Sequence, residues 1–188
     1  NVESLQASIS ALDLIELEKM AELIDERCLL GNTVFCVGNG GSAATASHLV
    51  TDMFFGRRMG RELRPRAVSL VSNVPLMTAL ANDVGYDDVF VQQLNGQFKS
   101  GDIVIGISAS GNSENVLRAV GFAKANGGFA LGLVGFDGGS LKQRCDISVH
   151  VPTPVGAYEL VEDVHHAVCH MLANCLKYKA SRNAGQAE

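Results

Sequence analysis

Tryptophan is absent from this sequence, and so is any apolar run of the roughly 18–20 residues that a membrane-spanning helix needs. No membrane span and no membrane partner are therefore expected. The opening stretch NVESLQASISALDLIELEKM lacks a basic segment leading into an apolar one, so no secretory signal is expected and a cytoplasmic location is. Positive charge is also scarce: 15 Lys and Arg stand against 20 Asp and Glu, a formal net charge of −5. That balance argues against a nucleic-acid partner held by a broad basic footprint. The five cysteines, Cys28, Cys36, Cys145, Cys169 and Cys175, form no C-x-x-C pair and are odd in number. Buried free thiols in a reducing compartment are expected, rather than a disulfide framework.

What is present fits a globular protein: 188 residues, 47% apolar, with 20 glycines. One domain over residues 1–188 is expected. Residues 3–30 carry Leu5, Ile9, Leu12, Ile15, Met20, Leu23 and Ile24 at helical spacing and read as one long helix stopped by Gly31. A helix placed there either covers a sheet or packs against a partner subunit. Strands then alternate with helices. Strands are expected at Thr33–Val37, Ala67–Val71, Asp102–Ile107, Phe129–Val134 and Ile147–Val151. Helices are expected at Ser42–Phe55, from Pro75 to about Ala81, at Asp87–Phe98, Ser113–Ala125, near Ser140–Arg144 and at Ala157–Lys179. Residues 180–188 read as a polar, frayed tail. The strands show little alternation, as strands buried on both faces do. The pattern predicts an α/β fold: a three-layer, doubly wound, five-stranded parallel sheet of flavodoxin-like type, with long helices at both ends.

Two strand-to-helix turns stand out, VFCVGNGGS at Val34–Ser42 and VIGISASGNS at Val104–Ser113. A strand that breaks at Gly and Ser and opens a helix aims backbone N–H groups and hydroxyls at one place, which suits an anion. Neither turn has the lysine of a P-loop. The first fits G-x-G-x-x-[GA] formally, but a dinucleotide site calls for an acidic residue at the end of the next strand. Leu70-Val71-Ser72-Asn73 offers none. The second turn carries Ser108, Ser110 and Ser113, more hydroxyls than capping requires, and suits the terminal phosphate of a small metabolite.

His48 and Asp52 are four apart on the helix after the first turn and share a face. Glu162, His166 and His170 step by four along the last helix, with His165 beside them. Taken alone, the first pair reads as a surface pair, and the second row as a polar face at a subunit contact. Together they make a mixed nitrogen and oxygen set suited to a catalytic zinc. Spacing does not choose among His165, His166 and His170.

GNGGS, the following H-x-x-x-D, ANDVGYDDVF at Ala81–Phe90 and GISASGNS together resemble the sugar isomerase (SIS) domain family, and within it the phosphoheptose isomerases. The resemblance runs from about residue 3 to residue 178. It implies aldose–ketose isomerisation, most closely between sedoheptulose 7-phosphate and D-glycero-D-manno-heptose 7-phosphate through an enediol. It implies one Zn2+ per subunit on His48, Asp52, Glu162 and His170, with Asp52 and His170 as the acid/base pair. Ser108, Ser110 and Ser113 match the family's phosphate site. Asn39, Gly40, Gly41, Ser42, Asn82 and Asp83 match its sugar contacts, with Glu162 also facing the substrate. A homotetramer packed through the first helix, with sites between subunits, is implied too.

Two departures from the family pattern bear on chemistry. Asp52 stands where the family has Glu, one methylene longer. Glu162 stands where it has Gln, which adds a charge expected to tighten metal binding and make the metal less electrophilic. The stretch Arg57, Arg58, Arg61, Arg64 and Arg66 reads as a solvated loop, with contact to a ligand phosphate as the alternative, and an inserted residue blurs the match of the family's Arg to Arg57. Two other functions compete. One branch of the subfamily binds the replication initiator DnaA without known isomerase activity, and a related isomerase would act on another sugar phosphate.

Overall fold

The computed structural model describes residues 2–55 and 66–184. In chain order the elements are α1 (Val2–Ser10), α2 (Leu14–Leu29), β1 (Thr33–Gly38), α3 (Gly41–Phe55), β2 (Arg66–Ser69) and α4 (Val74–Asp83). A short 3-10 turn at Tyr86–Asp88 leads into α5 (Val89–Asn95), β3 (Ile103–Ser108), α6 (Glu114–Ala125), β4 (Phe129–Val134), α7 (Gly139–Arg144), β5 (Ile147–His150) and α8 (Tyr158–Ala184).

The five strands are parallel, in the order β2-β1-β3-β4-β5. Alternate strand residues feed two apolar cores. Val34, Cys36, Ile103, Ile105 and Ile107 pack with Met20, Ile24, Leu49, Val164 and Val168 from α2, α3 and α8. Phe35, Val37 and Val104 pack with Phe90, Leu94, Val116, Val120 and Leu141 from α5, α6 and α7. The result is the three-layer, doubly wound sheet expected from the strand–helix rhythm. The strand order reverses between β1 and β3, and in such sheets ligands bind beyond the strand C-termini at that switch point. The turn 39–40 leaves β1 there and the turn 109–113 leaves β3.

Three local outcomes differ from the sequence reading. The first helix is two helices, because Asp13 caps α2: its carboxylate accepts from the backbone N–H of Ile15 at 2.9 Å and Glu16 at 3.3 Å. Apolar spacing carries through that break, so periodicity alone does not reveal it. The helix expected at Asp87–Phe98 is a 3-10 turn followed by a shorter α5, which ends at Asn95. The turn is tied down by Arg118, whose guanidinium grips Asp88 at 2.9 Å and Glu114 at 2.8 Å. Helix α8 runs past Lys179 to Ala184, so the first part of the expected tail is helical, while residues 185–188 lie outside the described residues. Arg57, Arg58, Arg61 and Arg64 do too; Arg66 opens β2 and is exposed. Among the described residues, no helix is long and apolar enough to cross a membrane. All five cysteines are free thiols. Burial holds those of Cys36 and Cys169 protonated, pushing Cys169 up to about 12.

Candidate active site

Helix α3 starts where β1 ends and α8 starts where β5 ends, so both run back against parallel strands and therefore parallel to each other. Their facing residues meet in register. Gly41 lies against Glu162, Thr45 against His166, and His48 against His170. The four-residue step predicted separately for each helix becomes one row of contacts between them.

At the far end of this row three donor atoms converge. His48 Nε2 is 2.8 Å from His170 Nε2, and Asp52 Oδ2 is 3.2 Å from the first and 3.7 Å from the second. Asp52 Oδ2 is buried, yet among the described residues no group is aligned to hydrogen-bond it. A buried carboxylate oxygen is costly to leave so. Two imidazole nitrogens and one carboxylate oxygen within 4.8 Å of one another suit a divalent metal such as zinc, and the orphaned oxygen is what a ligand set looks like. The side chains of His170, His48 and Asp52 are 58%, 36% and 23% exposed, so the group faces open space on one side.

Glu162 is not a member of that group. Its carboxylate occupies the place that a Cβ on Gly41 would take, over the first turn of α3. Only glycine allows that approach, and a helix N-terminus favours a negative charge. His166 sits between the two ends, with Nδ1 3.1 Å from Thr45 Oγ1 and its ring centroid 4.7 Å from that of His48. Burial, followed by the neighbouring His48 and His170, lowers its pKa below the ordinary histidine value. His165 points the other way, into the core: it is fully buried, and among the described residues neither ring nitrogen has a hydrogen-bond partner at good geometry. Burial pushes its pKa down to about 4 against a weak opposing pull from the Val134 backbone, so it is a neutral core residue. The three histidines that spacing left undivided thus have distinct surroundings.

The serine turn is preformed. Ser108 Oγ and Ser113 Oγ are 3.1 Å apart, Gly111 N–H donates to Ser108 Oγ at 3.1 Å, and Asn112 N–H donates to Ser110 Oγ at 3.2 Å. Ser113 holds the N-cap position of α6, yet its hydroxyl caps nothing. It stays with Ser108 at the mouth of the turn. Gly111, at φ +66°, packs on the backbone of Gly138, and a side chain there would collide with it.

The first turn is tied through Asn39 to two residues that the sequence did not single out, Asn115 and Tyr86. Asn39 and Asn115 exchange two amide hydrogen bonds of 2.9 Å, and Tyr86 Oη donates to Asn39 Oδ1 at 2.8 Å. These contacts fill Asn39 Oδ1 and leave one Asn39 N–H to offer. Asn115 is buried near the start of a helix, where asparagine is a poor helix former unless its amide has a task; that mismatch is the one sequence signal for it. Gly40 is exposed at φ +55°, and Ser42 is buried in the first turn of α3. Asn82 and Asp83 are exposed at the end of α4 and bond to each other at 2.7 Å, and among the described residues neither bonds to the two turns.

Comparison with known proteins agrees with this geometry. Residues 1–135 match the family model of the SIS domain. The chain is similar to the phosphoheptose isomerase of Pelobacter propionicus, 38% identical over 161 residues covering 84% of this chain and 82% of that protein. It is similar to that of Chlorobaculum tepidum, 38% identical over 175 residues covering 92% and 83%. Among solved structures, the phosphoheptose isomerase of Neisseria gonorrhoeae superposes with a TM-score of 0.82 at 31% identity, over 94% of this chain and 92% of that one. A phosphoheptose isomerase from Francisella tularensis gives 0.85 at 26% identity over the same shares. With strand order, switch-point turns and family match in agreement, the chain belongs to the SIS domain family.

Proposed function

We propose that this protein is a metal-dependent phosphoheptose isomerase that interconverts sedoheptulose 7-phosphate and D-glycero-D-manno-heptose 7-phosphate. The observation that carries the reading is the convergence of His48, Asp52 and His170 across α3 and α8. A module that only bound another protein would have no use for a buried carboxylate oxygen aimed at two imidazoles.

In the proposed reaction the open-chain sugar is held at its phosphate by Ser108, Ser110 and Ser113, whose hydroxyls already gather at one turn. Binding energy gained at the phosphate positions the carbonyl end. The N–H of Asn39 and the backbone of Gly40, Gly41 and Ser42 line the first turn, with Asn82 and Asp83 as further sugar contacts. Asp52 and His170 share the proton work: one removes the proton from the carbon beside the carbonyl while the other protonates the carbonyl oxygen, giving an enediol; the first then returns its proton to the former carbonyl carbon while the second takes the proton from the neighbouring hydroxyl, which becomes the new carbonyl. A zinc ion on His48, Asp52 and His170, with Glu162 as a fourth candidate ligand, would polarise the sugar oxygens and stabilise charge developing on them. The chain is proposed to fold as one domain and to assemble as a homotetramer through α1 and α2. Val2, Leu14 and Ile15 there are 80%, 60% and 66% exposed, which supports packing against other copies.

The test is isomerisation of sedoheptulose 7-phosphate by the purified protein, with chelator and with zinc restored. Chelator-sensitive turnover rescued by zinc is the expected result. A zinc-loaded protein with no turnover would reject this substrate and leave another phosphosugar.

A further inference from the structure

His166 lies midway along the α3–α8 row, one helical turn from Glu162 and one from His170. Its Nδ1 is 3.1 Å from Thr45 Oγ1, and Thr45 Oγ1 also donates to the Gly41 carbonyl at 3.2 Å. Thr45 is almost fully buried and has one hydroxyl proton. If that proton goes to Gly41, the His166 contact is a hydrogen bond only when Nδ1 carries a proton and donates it to Thr45. A neutral imidazole has a single N–H, so Nε2 is then a bare lone pair. Among the described residues Nε2 has no hydrogen-bond partner, and the half-buried ring is braced by His48 at 4.7 Å between centroids, tilted 44°. His166 falls outside the group of three converging donor atoms, so its lone pair is not committed there.

We propose that His166 is a substrate-binding residue whose Nε2 accepts a hydrogen bond from a hydroxyl of the sugar chain, with Thr45 fixing its tautomer and direction. The inference rests on the phosphosugar reading above and assigns it a further contact. A neutral acceptor in this place suits a polyhydroxylated chain, since every hydroxyl is a donor, and adds no charge beside Asp52. Glu162, His166 and His170 then meet the substrate in sequence along one face.

Two isosteres separate the nitrogens. Asn keeps an N–H near the Nδ1 position and has nothing at Nε2; Gln reaches the Nε2 position with an acceptor oxygen. His166→Asn is expected to lower kcat/KM for sedoheptulose 7-phosphate about tenfold, mostly through KM, and His166→Gln to recover to within about threefold of the wild type. Zinc content should be unchanged in both. Long-range proton–nitrogen NMR of the wild type should show a protonated Nδ1 and a bare Nε2 on His166. An Asn variant equal to wild type, a Gln variant no better than Asn, or a bare Nδ1 would each overturn the proposal. Loss of zinc in either variant would overturn it too, by making His166 a ligand. Absence of wild-type turnover would reject the functional reading instead; the tautomer needs no substrate and still decides for or against this one.

Discussion

His48 Nε2 and His170 Nε2 face each other at 2.8 Å across the seam between α3 and α8, with Asp52 Oδ2 closing the triangle. A proton held between the two facing nitrogens leaves Asp52 Oδ2 accepting from neither ring. The arrangement makes Asp52 the residue whose charge matters most. Asp52→Asn keeps the shape and removes the charge. It is expected to lower kcat by about three orders of magnitude while leaving the unfolding midpoint within a few degrees. Steady-state kinetics beside thermal unfolding checks this. Near-normal turnover would remove Asp52 from the chemistry.

Glu162 offers a sharper test, because the sequence departure and the geometry lead to different expectations. As a fourth ligand its extra charge would tighten metal binding. Lying against Gly41 at the start of α3, it stands outside the triangle. From the geometry, Glu162→Gln should change zinc affinity less than about tenfold, whereas His170→Ala should weaken it at least about a hundredfold. Competition with a chelator of known affinity measures both. A large loss for Glu162→Gln would return it to the ligand set.

Among the proposed phosphate contacts, Ser113 is the most open to a clean experiment, since its hydroxyl has no capping duty to lose. Ser113→Ala should raise KM for the phosphosugar by about tenfold with kcat nearly unchanged, and stability should barely move. If stability falls by a typical capping loss of about 1 kcal/mol and KM stays put, the hydroxyl serves the helix and not the ligand.

His165 predicts how stability depends on pH. Its folded pKa is pushed down to about 4 by burial, from an ordinary value near 6.5. The unfolded chain therefore binds a proton that the folded one refuses. The neutral residue costs nothing above about pH 6.5, and stability falls as pH drops toward 4, by roughly 3 kcal/mol in all. His165→Leu should flatten that part of the curve. Denaturant unfolding at pH 7.5 and pH 5 for both proteins decides it, and an unchanged slope in the variant would place the pH dependence elsewhere.

The strand–helix rhythm was legible because strands such as Ile103–Ser108 are buried along their whole length and helices such as α6 carry one apolar face. The break at Asp13 was hidden because its apolar neighbours keep helical phase across it. Within the site, helical spacing paired His48 with Asp52 and put His166 and His170 on one face of the last helix, but only the family resemblance singled out His170, which the structure brings to His48 and Asp52. Spacing did not reveal that Glu162 lies one end of the seam away, since spacing along one helix says nothing of where the facing helix places its partners. Asn115 and Tyr86 escaped because their role exists only when β1 and β3 lie side by side.

The parallel seam of α3 and α8 works as a ruler. From Glu162 to His170 is eight residues, about 12 Å of helix axis, marked by a carboxylate, an imidazole and the three-atom cluster. Because the marks belong to two separate rods, sliding one rod past the other by a single residue would misalign every mark together. The apolar contacts behind the seam, Leu49 and Val168 among them, therefore set the calibration of the chemistry as well as the stability of the fold.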